Sequence, residues 1–347
     1  MTSDLKAFEP KKILVCQQRQ IGDVVISTAC VELLRQRYPE AELHFLTEKK
    51  CAPILENNPH LKQVWCIEKQ EGFFGGMRLY AALRRQRFDL VADFQRLPRC
   101  RMATRFSGAP VRLTFPGKAY LRLIYTHFAG HTRGGYAGKV KASMLEALGI
   151  EWNHQPPRMY LSPAEQDWAE EHLRAQGLTK ANMLITLDPT HWSETRRWPA
   201  RHWAELIRLA LRERPDLRFY LLHGPGERDQ VETIVQQCGH EEACLLPPED
   251  GPSLRRTAAV IANARLQVGN CSAPRHMAVA LDVPTLTVIG SNGTTAWTFP
   301  EKDRHLYALN HLPCSKCNRN KCPKGTLECL TNLIPEKILP AFFRLLG

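Results

Sequence analysis

Short apolar runs of strand length alternate along this chain with longer segments that carry apolar residues at helical spacing. In the first half, residues 13–16, 42–47, 64–67 and 90–94 read as strands, and 24–38, 51–57 and 77–86 as helices, with 139–148 as a closing helix. The second half repeats the pattern, with strands at 183–187, 219–223, 266–269 and 285–289 and helices at 200–212, 227–237, 253–264 and 274–280. Uninterrupted apolar runs between polar turns are what strands buried on both faces of a parallel sheet require, and the alternation implies crossover helices. A polar-faced helix over 163–176 follows the linker marked by Pro156-Pro157. The pattern therefore predicts an α/β protein with two doubly wound domains facing a central cleft. Their predicted bounds are 1–160 and 161–330, with a C-terminal helix over 331–347. The stretch 94–145 holds Gly108, Pro110, Pro116, Gly117 and Gly130 and reads as loop-rich.

Composition changes this picture in two places. No apolar run approaches the roughly 18 residues of a membrane span, and the first ten residues have no apolar core of a signal peptide. With no export signal, the twelve cysteines read as reduced thiols in the cytoplasm. The formal charge of +12 is lopsided, with 25 basic against 14 acidic residues over 1–160 and 22 against 21 over 161–347. Residues 94–145 carry ten basic side chains, among them Arg99, Arg101 and Arg105, and no acidic one. A solvated surface normally mixes both signs, so this stretch faces an anionic partner: nucleic acid, anionic lipid or a phosphorylated glycan.

Candidate chemistry sits in the turns after strands, where open α/β sheets hold ligands. After 13–16 the chain turns through Ile21-Gly22-Asp23, with a helix starting at Asp23 or just after it. Asp23 is either a helix cap or a carboxylate at the mouth of a crevice. Residues 268–276, Val-Gly-Asn-Cys-Ser-Ala-Pro-Arg-His, leave a strand and enter a helix with small side chains, so backbone N–H groups and the Ser272 hydroxyl can meet a phosphate. His223-Gly224-Pro225-Gly226-Glu227 offers a carboxylate for ribose hydroxyls, and 190–199 offers the guanidinium forks of Arg196 and Arg197 for a diphosphate. Each of these is also compatible with a plain strand–turn–helix joint. Near the end, Cys314-x2-Cys317-x4-Cys322-x6-Cys329 has the density of a structural zinc knot, with a reduced cluster and a disulfide as the alternatives. His127, His131 and His191 read as surface or loop histidines with cleft-lining as the alternative.

Taken in order, Ile21-Gly22-Asp23, Thr195-Arg196-Arg197-Trp198-Pro199, Gly224-Pro225-Gly226-Glu227, and Val268-Gly269-Asn270 with Ser272, Pro274 and His276 resemble the bacterial lipopolysaccharide heptosyltransferases, glycosyltransferase family nine. Arg37-Tyr38-Pro39-Glu40-Ala41 and Asn58-Pro59 are similar to the family as well. The resemblance implies a GT-B fold, in which an N-terminal Rossmann-like domain binds the acceptor and a C-terminal one binds the nucleotide sugar. It implies inverting transfer of heptose from ADP-heptose to an inner-core lipopolysaccharide acceptor, with no cofactor and no metal required. It also implies a cytoplasmic enzyme peripheral to the inner face of the inner membrane, without a nucleic-acid partner. Asp23 matches the family's proposed general base. Thr195, Arg196, Gly224, Glu227, Gly269, Asn270, Cys271, Ser272, Ala273 and His276 fall on the donor side, with Glu227 at the ribose and Ser272 and His276 at the diphosphate. Arg19, Gly22, Arg99, Arg101 and Arg105 fall on the acceptor side.

Four positions depart from the family pattern. Arg196 stands in place of a usual Lys, Gln17 of a frequent Arg, Ala273 of a frequent Gly, and Cys271 of an Asp thought to contact the donor sugar. Cys271 keeps open a transferase with another donor or a catalytically weak scaffold member. From another class, a nucleic-acid-binding protein would use the basic half, but the stretch has few interleaved aromatics and no nucleic-acid-binding motif. A dinucleotide dehydrogenase would need G-x-G-x-x-G after 13–16, which this chain lacks.

Overall fold

The computed structural model describes residues 5–68, 72–131, 133–249 and 253–347. Residues 1–4, part of the start inspected for a signal peptide, lie outside them. The chain forms two compact units, Met1–Tyr160 and Leu161–Gly347. The first runs β1 (Lys12–Cys16), α1 (Ile21–Arg37), β2 (Glu42–Glu48), β3 (Leu61–Ile67), α2 (Gly72–Arg85), β4 (Leu90–Asp93), α3 (Pro98–Ser107), β5 (Val111–Thr114), β6 (His127–Phe128) and α4 (Ala137–Ala142). The second runs α5 (Pro163–Ala175), β7 (Met183–Asp188), α6 (Ala200–Glu213), β8 (Leu217–Leu221), α7 (Arg228–Cys238), β9 (Cys244–Leu245), α8 (Leu254–Ala262), β10 (Leu266–Asn270), α9 (Ala273–Ala280), β11 (Thr285–Ile289), β12 (His305–Leu309), α10 (Glu328–Thr331) and α11 (Pro335–Leu346).

Each unit holds one six-stranded sheet, ordered β3-β2-β1-β4-β5-β6 in the first and β12-β11-β10-β7-β8-β9 in the second. The strand pairs are parallel. Counted from the first strand of its own unit, each sheet has the order 3-2-1-4-5-6 of the Rossmann fold. The order reverses between β1 and β4 in one unit and between β7 and β10 in the other, and the crevice of such a sheet opens outside the strand carboxyl ends at that point. The strands flanking each reversal are the apolar ones. Ile13, Leu14, Val15 and Cys16 have no solvent exposure, and β10 is buried throughout. On α6, Trp203, Leu206, Ile207 and Ala210 recur at helical spacing and pack with Ile338 and Phe342 of α11 into the core of the second unit. Each such fully buried aliphatic side chain contributes about 1.5–3 kcal/mol. Among the described residues no helix is long and apolar enough to cross a membrane.

Several sequence expectations are corrected. Helix α1 begins at Ile21 with Gln20 as its N-cap residue, so Asp23 lies inside the first turn and is not the cap. The basic stretch is not mainly loop: it contains α3, β5, β6 and a 3-10 turn at Ala119–Leu123. Its punctuation was local, since Pro98 opens α3 and Gly108 closes it at φ 72°. The expected helix at 51–57 is a 3-10 helix, Lys49–Leu55, and the closing helix divides into α4 and a 3-10 segment, Ser143–Leu148. Around the linker prolines the chain is fastened to α1, with Arg158 N donating to Thr28 Oγ1 (2.8 Å) and Tyr160 Oη to Glu32 Oε1 (2.9 Å).

Candidate functional site

In the first unit, the turn after β1 lies at the strand-order reversal and is held from two sides. Arg19 N donates to Gln95 Oε1 (3.0 Å), and the Gln95 amide donates back to Arg19 O. Gln95 itself sits after β4, where the buried Asp93 carboxylate accepts from the backbone N–H of Gln95 and Arg96 and from Tyr125 Oη (2.5 Å). Gly22 and Asp23 follow in the first turn of α1, with the Asp23 side chain partly exposed. Lys141, at the end of α4, points its Nζ at Gln17 Oε1 (2.6 Å) and lies 3.6 Å from Asp23 Oδ1. This buried side chain is a candidate site residue that sequence reasoning missed, because 118 positions separate it from Asp23. Gln17 is buried too, so the Gln17–Lys141 bond supplies a cation beside Asp23 from α4 instead of from position 17.

In the second unit the reversal gathers the loops after β7 and β10. Gly269 is required there, because a Cβ would lie 2.7 Å from Asp188 Cβ on the neighbouring strand. The Asn270 side chain clamps the two loops, accepting from Trp198 N (3.0 Å) and donating to Thr190 O (3.4 Å). Ser272 donates its hydroxyl to Asp188, so that oxygen is engaged within the site. Burial pushes the Asp188 carboxyl up to about 7, with the Glu227 charge adding to the effect and the Ser272 bond opposing it. Ala273 is the first residue of α9, and Pro274 follows at the position where a missing N–H is harmless. Burial, then the neighbouring Arg275 charge, hold the His276 imidazole well below its usual range, which favours the neutral ring.

The remaining predicted donor residues lie on adjoining loops. Glu227 caps α7 and folds back so that its Oε2 accepts from Gly224 N (2.9 Å), and a Cβ on Gly224 would lie 2.7 Å from that oxygen. Thr195 is buried and donates to Arg319 O, while Ser291 Oγ donates to Thr195 Oγ1 (3.0 Å). Arg196 reaches Asn318 Oδ1 (3.1 Å) through Nη2. His191 is buried, not a surface residue. Burial, with Arg196 nearby, lowers it to about 4, and its Nδ1 accepts from Ser193 N (2.9 Å). His127 is half-buried beside Thr126 Oγ1, and His131 is exposed.

Cys271 is buried and bonded from two sides. Arg275 Nη1 lies 3.2 Å and Asn292 Nδ2 3.4 Å from its sulfur, and Arg275 Nη2 donates to Thr298 Oγ1 (2.8 Å). Arg275 is almost completely buried, and among the described residues it has no carboxylate partner. The Cys271 sulfur is therefore the close neighbour of a buried cation. The i, i+4 spacing of Cys271 and Arg275 was the available signal.

On the basic stretch, Arg99 donates to Glu68 O (2.8 Å), Arg101 stacks on Tyr120 with its guanidinium 5.6 Å from the ring centre, and Arg105 is exposed. Met102, Phe106, Tyr120 and Leu123 stand exposed among these cations, Leu123 at 77%.

The model of glycosyltransferase family 9 (heptosyltransferase) matches residues 77–328. The chain is similar to lipopolysaccharide heptosyltransferase 3 of Escherichia coli, with 24% identity covering 80% of this chain and 82% of that protein. Its fold is similar to that of a glycosyl transferase family 9 protein from Veillonella parvula DSM 2008 (TM-score 0.83, 20% identity, 99% of this chain and 98% of the other). It is also similar to that of the E. coli ADP-heptose lps heptosyltransferase II (TM-score 0.76, 19% identity, 96% and 98%).

Proposed function

Because the chain belongs to glycosyltransferase family 9, the heptosyltransferases, we propose that it moves heptose from ADP-heptose to an inner-core lipopolysaccharide acceptor. The observation that carries this reading is the convergence of the β7 and β10 loops at the strand-order reversal of the second unit, joined by Asn270. In this reading the donor diphosphate lies against the N-terminus of α9 and the Arg196 guanidinium, with ribose at Glu227. Asp23 removes the proton from the acceptor hydroxyl as its oxygen attacks the anomeric carbon, and ADP leaves from the opposite face, so one displacement inverts the centre. Arg196 and the α9 backbone N–H groups offset the charge that develops on the leaving diphosphate. No metal is needed for that step.

ADP-heptose should raise the melting temperature more than UDP- or GDP-sugars do. At 100 times its dissociation constant a ligand stabilises the fold by about 2.7 kcal/mol. Arg196→Ala should remove most of the stabilisation by ADP and ADP-heptose and little of that by adenosine, because its charge is assigned to the diphosphate. An equal loss for all three would make Arg196 a structural residue, bound to Asn318 and nothing more.

The basic face of the first unit fits the acceptor and the anionic leaflet that carries it, since exposed apolar side chains lie among its cations. Replacing Arg99, Arg101 and Arg105 with Gln should raise KM for a phosphorylated acceptor and leave KM for the donor unchanged. Raising the salt should act the same way, because exposed charges are screened beyond about 10 Å at 0.1 M. Acceptor kinetics indifferent to both would remove the acceptor from this face.

A further inference from the structure

Residues 310–327, between β12 and α10, have no helix or strand and no buried side chain. Nevertheless they hold the donor loop in place. Ser193 Oγ donates to Asn320 O (3.1 Å), Thr195 Oγ1 and Ser291 Oγ donate to Arg319 O, Arg196 Nη2 donates to Asn318 Oδ1 (3.1 Å), and Cys322 N donates to Glu194 Oε1 (2.8 Å). Burial cannot fix so exposed a segment against its own chain entropy, so another fastener is required.

The segment, together with Cys329 of α10, supplies one. Cys314, Cys317, Cys322 and Cys329 are free thiols and line a single cavity of about 40 Å³, with Thr195, Gly290 and Ser291 on its wall. Between the first and last cysteine the chain carries Lys316, Arg319, Lys321 and Lys324 against Glu328 alone. That excess of positive charge would more than offset the net double negative charge of four thiolates around a divalent ion.

We propose that these four cysteines bind one zinc ion as a tetrathiolate, and that the ion fastens residues 314–329 behind the Thr195–Arg196 loop. Four soft sulfur ligands in this spacing suit tetrahedral zinc, and with all four positions taken by protein the ion has no place for substrate. Its role is positional, which agrees with chemistry that needs no metal. Among the described residues no group of three or more metal-ligating side chains is drawn in to cation-holding geometry. Binding therefore draws Cys314, Cys317 and Cys322, which lie on the exposed segment, toward Cys329, which is already packed against the core of the second unit.

The coupling to the donor, unlike the metal site itself, rests on the diphosphate reading above. Elemental analysis of protein purified under reducing conditions should find one zinc per chain. Cobalt exchanged into it should show the charge-transfer and d–d bands of a tetrahedral thiolate site. Cys317→Ser with Cys322→Ser should abolish both, with circular dichroism reporting that the fold survives. Stripping the metal should weaken ADP binding about tenfold by titration calorimetry, a shift of about 1.4 kcal/mol, and zinc should restore it. Chains that take up no zinc, that hold zinc without these cysteines, that carry iron instead, or that pair the thiols as disulfides would each overturn the site. Zinc bound with ADP affinity unmoved would overturn the coupling. Zinc-loaded wild-type protein that binds no ADP would instead overturn the donor reading and leave the metal result standing.

Discussion

Asp23→Asn is expected to lower turnover by about a hundredfold or more while leaving ADP binding unchanged, the scale on which loss of a general base acts. The carboxylate lies in the first turn of α1, partly exposed, at the strand-order reversal of its unit. It does not cap the helix, since Gln20 holds that position. A negative charge in a first turn still gains from the helix dipole, about 0.3–1 kcal/mol, so Asn costs a little stability on either reading. Initial rates at saturating donor and acceptor, set beside ADP calorimetry, separate the two: unchanged turnover would leave Asp23 a dipole partner only. Lys141→Met is the companion variant. It removes the ammonium 3.6 Å from Asp23 and leaves Gln17 Oε1 without its close donor. Turnover should fall about tenfold, the scale of one charge-assisted bond. Adding Gln17→Arg should recover part of it, since the cation then returns beside Asp23 from β1's end of the turn.

The central strands of both sheets, though not their order, were legible in the residues because they are buried on both faces. β1, β7 and β11 are largely apolar runs, and β10, Leu-Gln-Val-Gly-Asn, is buried throughout. β12 escaped notice because it is an edge strand whose Leu306, Tyr307, Ala308 and Leu309 are only partly covered, and β9 because it has two residues. In 94–145 the charge density hid α3, whose buried Cys100, Ala103, Thr104 and Ser107 recur at helical spacing but include only small or polar side chains. At the candidate site, the small residues after β10 marked the loop because a tight strand-to-helix turn leaves its requirement in neighbouring positions. The partners did not show, for the opposite reason. Asp188 meets Ser272 across 84 positions and Lys141 meets Asp23 across 118, and such pairings are products of the fold. Asn270 looked like a ligand residue, whereas its amide is engaged in joining two loops.

Cys271→Asp is expected to raise kcat/KM with ADP-heptose about tenfold. A thiol is a weak donor and a weaker acceptor, whereas a carboxylate has two oxygens that accept from sugar hydroxyls. One charge-assisted hydrogen bond is worth about 1.5–3 kcal/mol, or ten- to a hundredfold in rate. The lower end applies here because of Arg275. Its guanidinium lies 3.2 Å from the Cys271 sulfur, so it would engage one oxygen of the new carboxylate and leave the other for the sugar. Asn292 donates to the same sulfur and would compete for what remains. The same pairing gives a second readout. Arg275 is buried without a carboxylate among the described residues, so supplying one should raise the melting temperature even with no ligand present. Pairing the substitution with Arg275→Met should erase that gain and free both oxygens for the donor. Should Cys271→Asp stabilise the protein yet lower kcat/KM, or should the wild type prefer an ADP-hexose, then Cys271 and Arg275 form a pocket selected for a different sugar. The buried cation beside Cys271 would then favour a donor with an acceptor group, not a hydroxyl donor, at the position facing residue 271.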